Sequence, residues 1–255
     1  MQIKMFYNVS YVENQLLCIF IGQNRETYMK RIFLLLLTVF FTVSGFSQYI
    51  SKITLVGNGQ VGVISIGLDE KVEIYVTKEG NISKWGYDKF IGYQENYSGM
   101  LEPYVGRTEY YNQLDDESVR GKVKYIGKTL ITYYPSYENE MLKGKIKSIG
   151  SINFDYYLSY EDAAYKGLIK TLGQNNVTWY ASYENEALRG KLKTVGPTAL
   201  SYYGSFEDKA YRGKIKSIDR YSITYYSSFE QYSGSMKTGM QLLNANGIKY
   251  FVGNY

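Results

Sequence analysis

"YYPSYENEMLKGKIKSIG", Tyr133 to Gly150, returns twenty-three residues later as "YYLSYEDAAYKGLIKTLG", Tyr156 to Gly173. It returns again from Trp179 as "WYASYENEALRGKLKTVG" and from Tyr202 as "YYGSFEDKAYRGKIKSID". Gly121, Gly144, Gly167, Gly190 and Gly213 keep a spacing of 23, as do the doublets that begin at Tyr110, Tyr133, Tyr156, Trp179, Tyr202 and Tyr225. A serine, aromatic, acid triplet follows the last five doublets, from Ser136-Tyr137-Glu138 to Ser228-Phe229-Glu230. The spacing loosens only at the flanks, at Gly99 and Gly234. A period this even specifies an array of units, each of which buries its apolar face against its neighbours, with atypical outer copies.

Each unit carries two strand signals. "GKIKSI" alternates Ile146 and Ser148 against Lys145, Lys147 and Ile149. "INFDYYLSY" alternates Ile152, Phe154, Tyr156, Leu158 and Tyr160 against Asn153, Asp155, Tyr157 and Ser159, which predicts a strand with one buried face. Between the two stand Gly127, Gly150, Gly173, Gly196 or Asp219, residue types that tolerate positive φ and suit a tight turn. The remaining piece, "ENEALR" before Gly190, is a turn-like connection of helix-favouring residues.

The fold class is therefore all-β: tandem 23-residue β-hairpin repeats over residues 99–237, forming an elongated antiparallel meander in a single-layer sheet. A coiled β-solenoid is the alternative. Residues 48–98 add strands in "KVEIYVTKEGNIS", turning at Glu79-Gly80, and read as an N-terminal cap. Residues 238–255 carry Asn246-Gly247, a hairpin signal, and read as a capping hairpin at the other end.

"MKR" at Met29 followed by the apolar run Ile32 to Val43 and "SGFSQ" has the form of an export signal over 29–47, cut at Ser47/Gln48. The run is too short for a spanning helix. Residues 1–28 then read as an over-extended start outside the fold. The expected address is periplasmic, secreted or cell-surface. Removing the leader removes Cys18, the only cysteine, and the chain has no His. No disulfide, Ser-His or Cys-His pair, or thiolate or imidazole metal site is then available. The acids recur once per unit, whereas an active site breaks a repeat. No enzyme, cofactor or metal is expected. Without residues 1–47 the chain keeps 25 of its 29 basic and 22 of its 24 acidic residues, a nearly balanced net +3 that does not suggest nucleic acid as a partner. An outer-membrane barrel fits poorly, because the "GKIKSI" strands are short and carry lysines.

"YYGSFEDKAYRGK", Tyr202 to Lys214, resembles a MORN repeat, with Tyr202, Gly204, Phe206 and Gly213 at that family's Tyr, Gly, aromatic and Gly positions. Lys209 and Ile215 stand where the family has glycines, and Pro135, Leu158 and Ala181 replace the early glycine in other copies. The resemblance implies a serial hairpin array with scaffolding or lipid-headgroup contact. A looser resemblance is to the aromatic-rich hairpin repeats of secreted cell-wall-binding modules.

Two series qualify as binding residues. Tyr111, Tyr134, Tyr157, Tyr180, Tyr203 and Tyr226 fall opposite the apolar face and predict a row of exposed rings for stacking on a glycan, a peptide or a surface. Lys124, Lys147, Lys170, Lys193, Lys216 and Lys237 run beside them as orienting cations. The expected function is an exported surface that binds an envelope glycan or protein, or another copy of itself through sheet edges. The competing reading makes the rings a cross-strand ladder and the protein a structural spacer with no ligand.

Overall fold

The computed structural model describes Lys30, residues 48–88 and residues 100–253. The expected leader, residues 1–28 and Gly99 lie outside the described residues, Lys30 aside. The other described residues belong to one compact unit, Ser47–Tyr255. Among them, the repeats form an open antiparallel sheet of eleven strands, from Thr108–Tyr110 to Tyr221–Ser222. Strands lie side by side in chain order, as in Ile146–Ile149 with Ile152–Tyr156 and then Ile169–Leu172. This antiparallel order is the meander. A solenoid would pair its coils in parallel, and a barrel would close the two edges.

The hairpin turns fall where the sequence places them. Gly150 has φ 55 and Ser151 completes the turn, so that Ile149 faces Ile152. Asp219 replaces glycine in the last copy and takes the same left-handed conformation, φ 51. Aspartate is among the few residues with a side chain that tolerate it. The connecting loop closes with Tyr157 N–H donating to Leu168 O and Gly167 N–H to Tyr157 O. Inside it, Tyr165 and Lys166 N–H both donate to Asp162 O, a single helical turn.

The simple alternation of "GKIKSI" fails. The register shifts in every repeat: Thr132 faces Ser148 but Tyr133 faces Ile146, which leaves Lys147 as an extra residue. Lys124, Lys170, Lys193, Lys216 and Lys237 are skipped in the same way. A repeated β-bulge of this kind turns Ile146 and Ile149 to the same buried side, where alternation puts them on opposite sides. The second strand also ends earlier than predicted. Ile152, Phe154 and Tyr156 are buried, but the strand stops at Tyr156 and Tyr160 is exposed.

The array is not a single layer. A sheet of seven strands covers it, in the order Leu242–Ala245, Ile248–Val252, Tyr49–Leu55, Val61–Gly67, Val72–Val76, Ile82–Asp88, Leu101–Pro103. The N- and C-terminal segments meet in this one sheet, because Lys52 to Leu55 pair in parallel with Lys249 to Val252. They touch middle repeats rather than capping the ends: Ile146 N–H donates to Gly80 O, Ile169 N–H to Lys78 O, and Asn246 Nδ2 to Thr198 Oγ1. One apolar cluster spans both layers, with Ile53, Ile66 and Ile74 on one side and Ile146, Ile169 and Leu192 on the other. The physical reason is area. Each repeat offers a row of Ile, Leu and Tyr side chains, and a row of that size needs cover from water.

Lys191 sits inside this seam, 5% exposed. Its ammonium donates to Gly213 O in the next repeat and to Asn58 O in a turn of the covering sheet, and it lies 5.3 Å from the Tyr202 ring centroid. Burial pushes its pKa down from the ordinary 10.5 to about 8. The unfolded chain therefore holds the proton more tightly, and stability contributed at this site rises as pH climbs from about 8 to 10.5. Thermal melts of the protein beside Lys191→Met across that window are expected to show the parent gaining on the variant. A constant difference between the two would overturn this.

Candidate functional site

The tyrosine doublets are staples. From Tyr133 to Tyr202 the first ring of each is buried and reaches back across its own hairpin, whereas Tyr110 is exposed: Tyr133 Oη donates to Val123 O, Tyr156 to Ile146 O and Tyr202 to Leu192 O. Trp179 makes the same bond with Nε1, to Ile169 O. This explains why tryptophan substitutes here and phenylalanine does not. The second ring reaches forward: Tyr111 Oη donates to Ile131 O, Tyr134 to Phe154 O, Tyr157 to Val177 O, Tyr180 to Leu200 O and Tyr203 to Ile223 O. Tyr111, Tyr134, Tyr180 and Tyr203 meet the first ring of the next doublet edge-on, as Tyr134 meets Tyr156 at 6.2 Å and Tyr180 meets Tyr202 at 5.7 Å.

The predicted row of exposed rings is therefore corrected. Tyr111, Tyr134, Tyr157, Tyr180, Tyr203 and Tyr226 are half-buried, and burial raises the hydroxyl pKa of the first five. Their remaining faces are taken by the bulge lysines. Lys124, Lys147, Lys170, Lys193, Lys216 and Lys237 each place Nζ 5.0–5.5 Å from the ring centroid of the tyrosine that follows the strand they pair with. Lys170, Lys193 and Lys237 also pair with Glu161, Glu184 and Glu230. The bulge is the cause: the extra residue swings its side chain over the ring beside it.

The exposed row lies elsewhere. Leu114, Tyr137, Tyr160, Tyr183, Phe206 and Phe229 are 79–99% exposed, one per repeat at the 23-residue spacing. Each of the five aromatics sits inside a turn closed by the acid that follows it, for example Glu184 N–H donating to Ala181 O. The acid side chain tightens the turn from below: Leu158 N–H donates to Glu161 Oε2 and Ala181 N–H to Glu184 Oε2. The serine anchors it to the previous repeat. Ser136 donates through N–H and Oγ to Asp116, Ser182 to Asp162 and Ser228 to Asp208, while Ser205 N–H donates to Asn185 Oδ1. Bonds from the same loop, donated by Ser118, Ala164 and Ala210, together with those from Ser136, Ser182 and Ser228, hold the Asp116, Asp162 and Asp208 carboxyls below the usual carboxylate range. The turn is thus fixed on both sides while its ring stands in water.

A second exposed series accompanies the rings: Arg120, Lys143, Lys166, Arg189 and Arg212, just before each glycine. Arg120 Nε donates to Asp115 O and Arg212 to Glu207 O, which sets each guanidinium beside the turn that carries Leu114 or Phe206. Lys143 pairs with Glu117 of the preceding repeat. The exposed position three residues earlier drifts through Glu117, Glu140, Ala163, Glu186 and Lys209, whereas the basic position keeps its sign.

One signal in the sequence could have found the aromatic row. Doublet positions keep a polar-tipped ring, while the triplet position accepts Phe206, Phe229 and Leu114. A position indifferent to the hydroxyl has no buried acceptor to satisfy. No group of acids able to hold a metal ion occurs among the described residues. Comparisons with protein-family models, with curated proteins and with solved structures found no match for this chain.

Proposed function

We propose that the protein is a non-catalytic binding array of the cell envelope, which grips an extended glycan or protein through the turn aromatics Tyr137, Tyr160, Tyr183, Phe206 and Phe229. One observation carries this. The repeated Ser, Glu, Gly, bulge Lys and doublet residues have partners within the fold, as described above. The exposed ring spends its surface on nothing, and large apolar side chains aligned in water mark interaction surfaces. Rings on pre-fixed turns also lose little freedom on binding. The leader-like segment and the looser resemblance to cell-wall-binding hairpins support an envelope address.

The test replaces all five rings with serine in the full chain. Each exposed replacement away from buried partners shifts stability by about 0.5 kcal/mol or less, so the variant is expected to melt close to the parent. Co-sedimentation with an envelope preparation is expected to fall to background. Undiminished binding by the folded variant would sink this reading and leave the array as a spacer.

A further inference from the structure

We infer that copies of this protein join head to tail. The last hairpin of one copy, Thr224–Tyr225 with Met236–Thr238, adds to the first repeat strand of the next, Thr108–Tyr110, so that the array runs on across the joint. The inference does not depend on the binding reading above. It names a second copy of this chain as the partner of the two ends.

Inside the array, each joint uses two bonds onto the strand that comes next. In the last of them Ile223 N–H donates to Lys216 O at 2.9 Å, and Tyr203 Oη donates to Ile223 O at 2.9 Å. Each half of this joint recurs at one end of the array without its counterpart. Tyr226 and Lys237 stand where Tyr203 and Lys216 do, and the sheet of repeats offers them no further strand. The Tyr226 ring meets Tyr232, but its Oη makes no hydrogen bond among the described residues. Thr108 stands where Ile223 does, five periods earlier. Arg107 O accepts from Gly127 N–H and Tyr111 N–H donates to Lys122 O, so alternation turns the N–H and carbonyl of Thr108 to the open edge. One end therefore keeps a hydroxyl donor and a carbonyl acceptor, and the other keeps the acceptor and the donor that match them.

Packing at the first strand shows the same gap. Tyr110 is 52% exposed, whereas Tyr133, Tyr156, Tyr202 and Tyr225 are 9% exposed or less. Each of those four is met edge-on by the second ring of the doublet before it. No doublet precedes Tyr110, and Tyr226 of another copy fits that place. No described atom lies within 4 Å of where a Cβ on Gly121 would stand, but at Gly144, Gly190 and Gly234 the repeat before fills that space with Ser118, Ala164 and Ala210.

A chain cannot close this joint on itself. The first and last strands are the edges of an open sheet of eleven, and at about 4.8 Å per strand those edges lie roughly 50 Å apart. Ends that differ and fit each other make a heterologous contact, which continues from copy to copy. Charges on the two edges do not oppose it, because Glu109 pairs with Arg107 and Lys237 with Glu230 inside their own ends. A foreign strand would pair with either edge through its backbone alone, whereas a second copy also brings the ring that Tyr110 lacks. Joined copies close each other's ends and leave the turn aromatics in water as one continued row.

Sedimentation velocity of the full chain over a wide range of concentration tests this, with circular dichroism on every variant. The parent is expected to form assemblies that lengthen with concentration. Thr108→Pro removes the head donor on an edge strand, where proline is tolerated. Tyr226→Ala with Thr238→Arg removes the tail donor and places like charges opposite each other, at Thr238 and at Arg107 of the next copy. Each of these is expected to stay a monomer alone. Their equal mixture is expected to form dimers and nothing larger, because one sound head then meets one sound tail. Tyr226→Phe keeps the ring and should raise the concentration needed for assembly about fivefold. If an end variant does not fold, that shift decides. The five-ring serine variant should assemble as the parent does. Loss of assembly in that variant would mean that copies meet through the turn rings, and would overturn the joint. A parent that stays monomeric at its highest soluble concentration would overturn it too, as would assembly that survives both end variants or folded end variants whose mixture stays monomeric.

Discussion

Tyr157→Ala, Tyr180→Ala and Tyr203→Ala together are expected to unfold the array rather than merely blunt its surface. Each ring is half-buried, which is worth about 1 kcal/mol of apolar transfer. Each also donates to a strand carbonyl in the next repeat, at 3.0, 3.1 and 2.9 Å, for about 1 kcal/mol apiece. Aromatic contacts add about 0.5–1.5 kcal/mol at each position, from Tyr165 against Tyr157, Tyr202 against Tyr180, and Tyr211 and Tyr225 against Tyr203. Three losses of this size total roughly 8–10 kcal/mol, comparable to the whole stability of a domain. The matched triple Tyr→Phe variant keeps the rings and loses only the hydroxyl bonds, so it should stay folded with a lower denaturation midpoint. Circular dichroism melts of both decide the matter. An alanine triple that melts with the parent would restore the doublet series to the role of a recognition platform.

The array was legible in the sequence because its punctuation is chemical. Glycine at a fixed pitch needs a turn, Asp219 substitutes for it by the same φ, and Asn246-Gly247 closes the C-terminal hairpin with two positive φ values, 50 and 81. The bulge left no such mark. Lys147 looks like any outward residue in an alternating strand, and only the pairing of Thr132 with Ser148 and Tyr133 with Ile146 reveals the extra one. That one residue per hairpin reverses the face assignment beyond it. It explains why the bulge lysines cover rings instead of standing free as orienting cations. Tyr160 misleads for a related reason: it continues the alternation of Ile152, Phe154 and Tyr156, although the strand ends four residues before it. The covering layer was hidden because strands at the two ends of a chain carry no sign of pairing with each other, as Lys52 to Leu55 do with Lys249 to Val252.

The two layers are dovetailed at Tyr156, and a double-mutant cycle with Gly80 should expose the joint. Tyr156 is 1% exposed, donates to Ile146 O at 2.8 Å, and carries the Lys145 ammonium 4.7 Å from its ring centroid. Tyr156→Ala removes a large buried ring and is expected to cost about 3–5 kcal/mol. Gly80 has φ 84 and its carbonyl accepts from Ile146 N–H, so the covering turn is pinned directly over that ring. A Cβ at Gly80 would collide with the Tyr156 ring and hydroxyl. Gly80→Ala alone therefore suffers both the collision and the left-handed backbone, the latter about 1–2 kcal/mol. In the Tyr156→Ala background the collision is gone and only the backbone cost remains. The double variant should be more stable than the sum of the singles predicts, by about 1–3 kcal/mol. Additive costs, read from urea denaturation of the four proteins, would mean that the covering sheet does not rest on Tyr156. A positive coupling would mean that the repeats owe their stability to a fitted second layer as well as to their neighbours, which leaves the connector edge, with its exposed rings, as the part of the array still open to a partner.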